Sequence, residues 1–358
     1  MAEHTFFIAE AGVNHNGSLD MALRLVDVAA SAGADAVKFQ TFKADQLATA
    51  KAAKAEYQVA NTQEAGNQLD MLKRLELSFA DHAALVLRCK ERGIHFMSTA
   101  FDAESLAFLA TLDMPAVKMP SGDITCGPLL LQAARLRKPL IVSTGMATLA
   151  DIEQALGVVA FGLTQQREPT GRADFEAALC SAEGQQALRR HVTLLHCVTQ
   201  YPAPPESVNL RAMDTMARAF GLPVGYSDHT TGIEVAIAAV ALGATVIEKH
   251  FTLDRTLPGP DHAASLEPVE LAQLIASIRN IERALGLPIK APAPQEMGNR
   301  GVARRSVVAA RAVLEGEVFC AAMLNHKRPG HGLSPMEHWS LLGRRAGRAY
   351  AADEPIEP

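Results

Sequence analysis

The sequence lacks several features that would each have indicated a different class of protein. No apolar run reaches the ~20 residues that a membrane-spanning helix needs. Lys and Arg total 34 against 39 Asp and Glu, giving a net charge of −5, and the basic residues are scattered rather than clustered into a polyanion-binding surface. We therefore expect neither a membrane protein nor a nucleic-acid-binding protein.

Cysteine is also scarce, and its pattern does not indicate a disulfide framework. The five cysteines are an odd number, and no two are spaced as C-x-x-C. This usage favours reduced thiols. The N-terminal residues include no cationic region of the kind that begins a signal peptide. Together these features predict a cytoplasmic location.

What the sequence does contain is a repeated alternation of short apolar runs and helical patterns. The runs are continuous rather than alternating, which is typical of parallel strands covered on both faces. Ser18 is expected to cap the first helix and Gly33 to end it, and Thr231 and Gly243 are expected to do the same for the last such helix. Eight runs are present: 5–9, 34–39, 94–98, 116–119, 139–143, 192–197, 223–226 and 244–247.

Eight β/α units within about 285 residues predict an α/β fold, a TIM (β/α)8 barrel. A doubly wound sheet would usually carry a glycine fingerprint after its first strand, and the stretch from Gly12 to Gly17 does not match it. We expect the barrel domain at 1–285, a Pro-rich linker at 286–300, and a small, mostly β domain at 301–358. A polar insertion at 160–190 is expected to be helical and peripheral.

Polar residues gather where the predicted strands end, and the stretch "GATVIEKHFTLDRTLPGPDH" shows this most clearly. If Val246 points into the barrel, Glu248 and His250 do too, because side chains alternate along a strand. Catalytic groups of such barrels lie at the carboxyl ends of the strands. The strand-end residues are Glu10, Asn14, His15, Lys38, Gln40, Ser98, Thr99, Lys118, Ser121, Ser143, Thr144, His196, Thr199, Tyr201, Ser227, Asp228, His229, Glu248, Lys249 and His250.

These residue types indicate a small anionic substrate, with a divalent metal as a further option. Lysines inside a barrel are costly unless an anion pairs with them. That anion is either a ligand or an internal partner, Glu10 or Glu248, and a desolvated lysine that forms a Schiff base is a third reading. His229 and His250 end neighbouring strands, where neutral imidazoles bind divalent ions or simply donate hydrogen bonds.

Several motifs together resemble those of the sialic acid synthase family, and they cover almost the whole chain in order. They are "IAEAGVNHNGSLDMA", "DAVKFQTFKAD", "KAEYQ", "KMPSGDI", "STGMATL", "LLHCVTQYPAP", "GYSDHTTGIEVAIAAVALGATVIEKHFTLDRTLPGPDH" and "KRPGHGLSP". The terminal domain resembles that family's antifreeze-like (SAF) domain. The resemblance implies a barrel that condenses phosphoenolpyruvate with an N-acetylated mannosamine-type sugar, and a homodimer in which the small domain is swapped onto the partner's barrel.

The resemblance also implies roles for individual residues. His229 and His250 match metal ligands, usually of Mn²⁺, with Mg²⁺ or Co²⁺ as alternatives. Arg328 matches an arginine that reaches the partner's site. Glu10 and Asp123 are rival candidates for the catalytic group, and Asp123 stands where some members have Glu. Phosphoenolpyruvate-binding positions fall on Lys38, Thr99, Lys118, Ser121, Ser143 and Ser227, and sugar-binding positions on Gln40, Phe101, Tyr201, Asp261 and Arg328.

The expected activity is that of an N-acetylneuraminate synthase using N-acetylmannosamine. The alternative within the family is a legionaminic acid synthase using 2,4-diacetamido-2,4,6-trideoxymannose. Related barrel synthases that take phosphorylated sugars lack the terminal domain. A non-catalytic sugar- or ice-binding protein is a different class of reading, but an antifreeze-like domain alone needs no polar ring in a barrel.

Overall fold

Eight parallel strands close into a barrel in the computed structural model, which describes residues 4–55, 58–59, 61 and 66–357. The predicted TIM barrel is confirmed. Glu56 and Tyr57 of the "KAEYQ" motif and the first three residues lie outside the described residues. The strands are β1 Phe6–Gly12, β2 Ala36–Thr41, β3 His95–Ala100, β4 Val117–Met119, β5 Leu140–Ser143, β6 Val192–Cys197, β7 Val224–Asp228 and β8 Val246–His250.

Helices follow the strands and cover the outside of the barrel. They are α1 Leu19–Ala32, α2 Ala44–Leu47, α3 Gln68–Leu75, α4 Phe79–Arg92, α5 Ala103–Ala110, α6 Gly127–Arg135, α7 Leu149–Thr164, α8 Arg172–Cys180, α9 Ala182–His191, α10 Pro205–Val208, α11 Ala212–Phe220, α12 Glu234–Ala241 and α13 Pro268–Leu285.

Helix ends agree with the sequence-based expectation at α1 and differ at α12. The Ser18 side chain accepts a hydrogen bond from the Met21 N–H, and Gly33 adopts the left-handed conformation that ends α1. The prediction that Thr231 caps α12 is wrong, because the helix begins at Glu234 with Ile233 at its N-cap position. There the Glu234 carboxylate accepts the Ile233 N–H instead.

The segment 160–190 is helical, as expected, but its first residues are not peripheral. Helix α7 extends to Thr164, and Ala160, Phe161 and Leu163 are buried in the hydrophobic core. Only α8 and α9 form an added layer, because the apolar stripe of α7 continues past the point where the composition becomes polar.

The barrel interior is layered, and this layering places the site. The lower layer is apolar and tightly packed. Gly225 occupies the β7 position of this layer, where a Cβ atom would lie only 2.3 Å from the Val246 carbonyl oxygen. Two residues further along each strand the inward side chain is polar or, once, a cysteine. The apolar layer consists of Ile8, Ala36, Met97, Ala116, Ile141, Leu195 and Val246.

A second compact unit covers Leu287–Pro358 and has its own core. Its strands β9 Ser306–Ala309 and β10 Leu324–Lys327 pair antiparallel, and isolated bridges such as Val313 with Tyr350 extend the β structure. Two short helices, α14 Met297–Ala303 and α15 His338–Leu341, complete it. Helix α14 crosses the expected border at residue 300 between linker and domain. The core residues are Val307, Ala309, Val313, Phe319, Met323, Leu324, Leu341, Ala346, Tyr350 and Ile356.

Within the described ranges, no helix combines the length and apolar character that crossing a bilayer requires.

Two charged residues from the strand ends face the helices rather than the barrel interior. Asp228 and Lys249 form an ion pair of 2.8 Å, and both side chains are fully buried. The Asp228 carboxylate also accepts hydrogen bonds from the N–H and hydroxyl of Thr230, and the Lys249 ammonium donates to the Thr230 carbonyl. The pair joins the carboxyl ends of β7 and β8. His196 faces outward as well, donating to the Val208 carbonyl.

We predict that Lys249→Met destabilises the protein by about 3–5 kcal/mol, because it leaves the Asp228 carboxylate buried without a counter-charge. Lys73→Met is the matched control, since Lys73 pairs with Asp45 in solvent and exposed pairs contribute little. Urea unfolding followed by circular dichroism measures both. Equal, small shifts in the two variants would contradict the importance of the buried pair.

Candidate active site

A layer of mostly polar side chains closes the upper half of the barrel interior. Strand register determines which members are neighbours: Glu10 lies beside Lys38, and Ser227 beside Glu248. The side chains are buried, yet they line a cavity of about 310 Å³ that opens at the carboxyl ends of the strands. The polar layer consists of Glu10, Lys38, Thr99, Lys118, Ser143, Cys197, Ser227 and Glu248.

Lys38 joins the two carboxylates of the polar layer. Its ammonium lies 2.8 Å from Glu10 Oε2 and 3.6 Å from Glu248 Oε2, and it donates to Thr99 Oγ1 at 2.8 Å. The Gln40 amide approaches the other Glu10 oxygen at 3.4 Å. Lys38 is therefore paired internally, which is one of the readings left open by the sequence.

Lys118 completes the charge pattern on the opposite side. It donates to Ser143 Oγ at 2.7 Å and lies 3.6 Å from Glu248 Oε1. Glu248 Oε1 also accepts the Ser227 hydroxyl at 2.9 Å. Glu248 thus contacts both lysines, although sequence reasoning considered it only as an internal partner and not as a site residue.

The two carboxylates have opposite protonation tendencies. Burial raises the pKa of Glu10 to about 7, with Lys38 partly opposing this. Burial also disfavours the ionised form of Glu248, but the charges of Lys118 and Lys38 outweigh it and lower its pKa to about 2. Near neutral pH, Glu248 is ionised and Glu10 is close to its midpoint. Burial lowers the pKa of Lys118, whereas Glu10 and Glu248 outweigh burial at Lys38 and raise its pKa. The two ammonium groups and the hydroxyl donors beside them favour an anionic ligand.

His229 and His250 lie above the polar layer with their ring centroids 5.6 Å apart. His229 Nδ1 lies 2.6 Å from the Val198 carbonyl, which can only accept, so Nδ1 carries the proton and Nε2 keeps a lone pair. His250 Nδ1 is buried and has no hydrogen-bond partner among the described residues. A side chain at residue 12 would crowd this ring, since a Cβ on Gly12 would lie 3.2 Å from His250 Cε1.

This pair fits the donor set of a divalent cation. Burial lowers the pKa of both imidazoles, so they are neutral near pH 7, as metal ligands must be. In the part of the chain that the structure describes, no group of three or more His, Cys, Asp or Glu side chains forms a cluster suited to a metal ion. The two-histidine ligand set remains a prediction.

Most other expected site residues line the same cavity, but Asp123 does not. Gln40, Phe101, Ser121, Tyr201 and Asp261 are all lining residues. Tyr201 stacks on His229 with ring centroids 4.1 Å apart.

Asp123 and Asp261 are both acidic groups with raised pKa values, yet they occupy different positions. Asp123 ends the short 3-10 helix Ser121–Asp123 and is not among the residues that line the cavity. Its Oδ2 is buried and has no hydrogen-bond partner among the described residues. Asp261 is buried at the cavity edge. Burial raises the pKa of each to about 6.

Arg328 belongs to the second compact unit, where its side chain is exposed.

The cavity also contains residues that sequence reasoning did not single out. Cys197 belongs to the polar layer, where its sulfur lies 3.0 Å from Ser121 Oγ; counting alternate residues from Leu195 would have found it. An apolar wall also lines the cavity, and no strand pattern indicates it because its residues come from loops and from α2 and α3. The apolar wall consists of Phe101, which was already expected at a sugar-binding position, and of Val13, Phe42, Leu47, Met71, Leu72 and Leu75.

Comparisons with known proteins identify the family of this chain. The model of the NeuB family matches residues 25–290. The chain is 47% identical to the N,N'-diacetyllegionaminic acid synthase of Campylobacter jejuni, covering 98% of each protein. It is 45% identical to the protein of the same name from Legionella pneumophila, covering 95% of this chain and 90% of the relative.

Among solved structures, it is similar to an N-acetylneuraminic acid (sialic acid) synthetase from Leptospira borgpetersenii in complex with citrate. The TM-score is 0.67 at 33% identity, with 83% of this chain and 90% of that chain covered. The enzyme class expected from the motifs is confirmed. The chain belongs to the NeuB family, the family of sialic acid synthases.

Proposed function

We propose that this protein condenses phosphoenolpyruvate with 2,4-diacetamido-2,4,6-trideoxymannose to give N,N'-diacetyllegionaminic acid and phosphate. The observation that carries the condensation is the buried layer of two lysines and two glutamates beneath a histidine pair. The choice of sugar differs from the N-acetylneuraminate expectation, because relatives at 47% and 45% identity are named for the legionaminic product.

The polar layer suits the two anionic groups of phosphoenolpyruvate. Lys38 and Lys118 supply charge, and Thr99, Ser143 and Ser227 supply hydroxyl donors around them. Glu10 and Glu248 compensate the charge of the lysines within the barrel. Binding of the substrate replaces part of this internal pairing, so the lysines need not be buried without a counter-charge at any stage.

His229 and His250 would hold a divalent cation, Mn²⁺ in the first instance with Mg²⁺ or Co²⁺ as alternatives. When bound there, such a cation would polarise the carbonyl oxygen of the open-chain sugar. The residues of the chain that fix this position are Val198, whose carbonyl orients the His229 ring, and Tyr201, which stacks on it.

The reaction forms one C–C bond and breaks one C–O bond. C3 of phosphoenolpyruvate attacks the aldehyde carbon of the sugar, whose oxygen becomes a hydroxyl group, and positive charge develops at C2. Water adds at C2, and phosphate leaves with cleavage of its C2–O bond. The water oxygen becomes the keto oxygen of the 2-keto acid, and of the two protons that it loses, one goes to the sugar oxygen and one to the phosphate. Lys38 and Lys118 stabilise the departing phosphate.

Glu10 is the group that we propose to stabilise the charge at C2 or to activate the water. It lies in the polar layer 2.8 Å from Lys38, and its pKa of about 7 suits proton transfer near neutral pH. Asp123 is the rival and has a pKa raised to about 6 by burial, but it does not line the cavity.

We predict that metal-stripped protein supplied again with Mn²⁺ releases phosphate from phosphoenolpyruvate when a suitable sugar is present. The diacetamido sugar should give the higher kcat/KM when it is compared with N-acetylmannosamine under the same conditions. A clear advantage for N-acetylmannosamine would instead assign N-acetylneuraminate synthesis. Absence of phosphate release with either sugar would favour the non-catalytic, sugar-binding alternative.

We further propose a homodimer in which the second unit of one protomer completes the partner's site through Arg328, which touches the sugar's acetamido group. Two observations support this: the second unit has a core of only ten buried apolar residues, and Arg328 is exposed to solvent. The cytoplasmic location expected from the sequence also stays a prediction.

The swap predicts complementation in trans. Arg328→Ala and Lys118→Ala proteins should each be inactive alone, whereas co-expressed chains should recover about a quarter of the wild-type sites through heterodimers, since one barrel of each mixed dimer then has both residues. Phosphate release by the co-purified mixture measures this. Recovery no greater than that of the separate proteins would place Arg328 in its own protomer's site or outside any site.

A further inference from the structure

The apolar wall is a built surface rather than a chance exposure of core residues. Phe42 and Phe101 meet edge to face with ring centroids 6.2 Å apart. Met71 and Leu75 of α3 are buried against them, whereas Leu72 is half-buried and also borders the cavity. These residues form a cluster separate from the main hydrophobic core.

Hydrogen bonds hold the segments that carry the wall. Asp102 directly follows Phe101 in the chain, and Lys43 directly follows Phe42. The Asp102 carboxylate accepts a hydrogen bond from the Lys43 N–H at 2.8 Å. Glu76, which follows α3, accepts the Ala44 N–H at 3.1 Å and the Lys43 ammonium at 2.9 Å. The wall is therefore preorganised, so contact with a ligand there does not first require ordering of the loops.

The position of the wall fixes which end of the sugar meets it. The reacting carbonyl must lie above the polar layer beside His229 and His250, which lie at the ends of β7 and β8. The wall follows β1, β2 and β3 and includes α3. An open-chain six-carbon sugar with C1 at the histidines therefore directs its far end, C6, away from them and toward the wall.

At C6 the two candidate sugars differ in a way that the wall can distinguish. The trideoxy sugar has a methyl group there, and N-acetylmannosamine has a hydroxymethyl group. A methyl group gains free energy from contact with apolar side chains. A hydroxyl group held against them gives up hydrogen bonds to water and finds no acceptor on the wall side chains.

We propose that the apolar wall, with Leu72 as a contact residue, binds C6 of the sugar and selects a 6-deoxy sugar over its 6-hydroxy counterpart. This inference rests on the proposed condensation and assigns a specificity-determining role to side chains that take no part in the chemistry. The polar residues Gln40, Tyr201 and Asp261 line the same cavity, where the acetamido and hydroxyl groups of the sugar would contact them.

The test compares two sugars that differ by one oxygen atom, N-acetylmannosamine and 2-acetamido-2,6-dideoxymannose, on the full-length enzyme. Their ratio of kcat/KM is measured, or their ratio of inhibition constants against the diacetamido sugar where turnover is absent. The wild-type protein should prefer the 6-deoxy sugar by roughly tenfold to a hundredfold, the range in which apolar pockets discriminate against an added hydroxyl.

Leu72→Asn should reduce this preference at least about fivefold, because the amide offers the hydroxyl a partner. Leu69→Asn is the matched control: Leu69 lies one turn earlier on α3 and packs on the same cluster, but it does not line the cavity. The preference of the Leu69→Asn variant for the 6-deoxy sugar should stay within about twofold of the wild-type preference. The KM for phosphoenolpyruvate should be unchanged in both, and Leu72→Thr replaces Leu72→Asn if the latter does not fold.

The inference is overturned if the wild-type enzyme shows no preference for the 6-deoxy sugar, or if the variants at 69 and 72 change the ratio equally. These results are distinct from failure of the proposed function. That failure would appear as an enzyme that turns over N-acetylmannosamine but neither consumes nor binds the diacetamido sugar.

Discussion

The rest of the site depends on the compensation of buried charge inside the barrel. Lys38 contacts both Glu10 and Glu248, and Lys118 contacts Glu248 from the other side. Ionised groups so far from water are stable only when each is paired and hydrogen-bonded. The same pairs hold two ammonium groups in position and raise the pKa of Lys38, so an anionic substrate meets a preformed receptor, and they separate the pKa values of the two carboxylates. The ion pairs that stabilise the buried charges are therefore the same contacts that prepare the site for its substrate.

Much of this arrangement follows from the sequence because side-chain alternation along a strand is a local property. Counting by twos from Val246 reaches Glu248 and His250, and the structure places both inward, lining the cavity. The closed barrel then brings together strand ends that are far apart in sequence, such as Glu10 and His250, which are paired in register. Chain order and alternation together were therefore sufficient to identify every side chain of the polar layer except Cys197.

The remaining features depend on tertiary packing that alternation does not report. Asp228 and Lys249 are ionisable strand-end residues like the site residues beside them, but they pair beneath the helices. Polarity alone does not distinguish the two faces of a strand that is buried on both sides. Leu72 lies in the long connection between β2 and β3, so nothing in its local pattern separates a wall residue from an ordinary core residue. Likewise, the motif that contains Asp123 gives no indication that this residue is absent from the cavity lining.

The dependence of kcat/KM on pH, measured for the wild type, Glu10→Gln and Asp123→Asn, tests the central claim most directly. The proposed role of Glu10 requires its ionised carboxylate, and the pKa of this group in the free protein is about 7, so wild-type kcat/KM should rise as pH increases through that value. Glu10→Gln should lose roughly 10²–10⁴-fold in kcat together with this rise, while Asp123→Asn should keep the rise. A larger loss in Asp123→Asn, or a rise that persists in Glu10→Gln, would contradict the account.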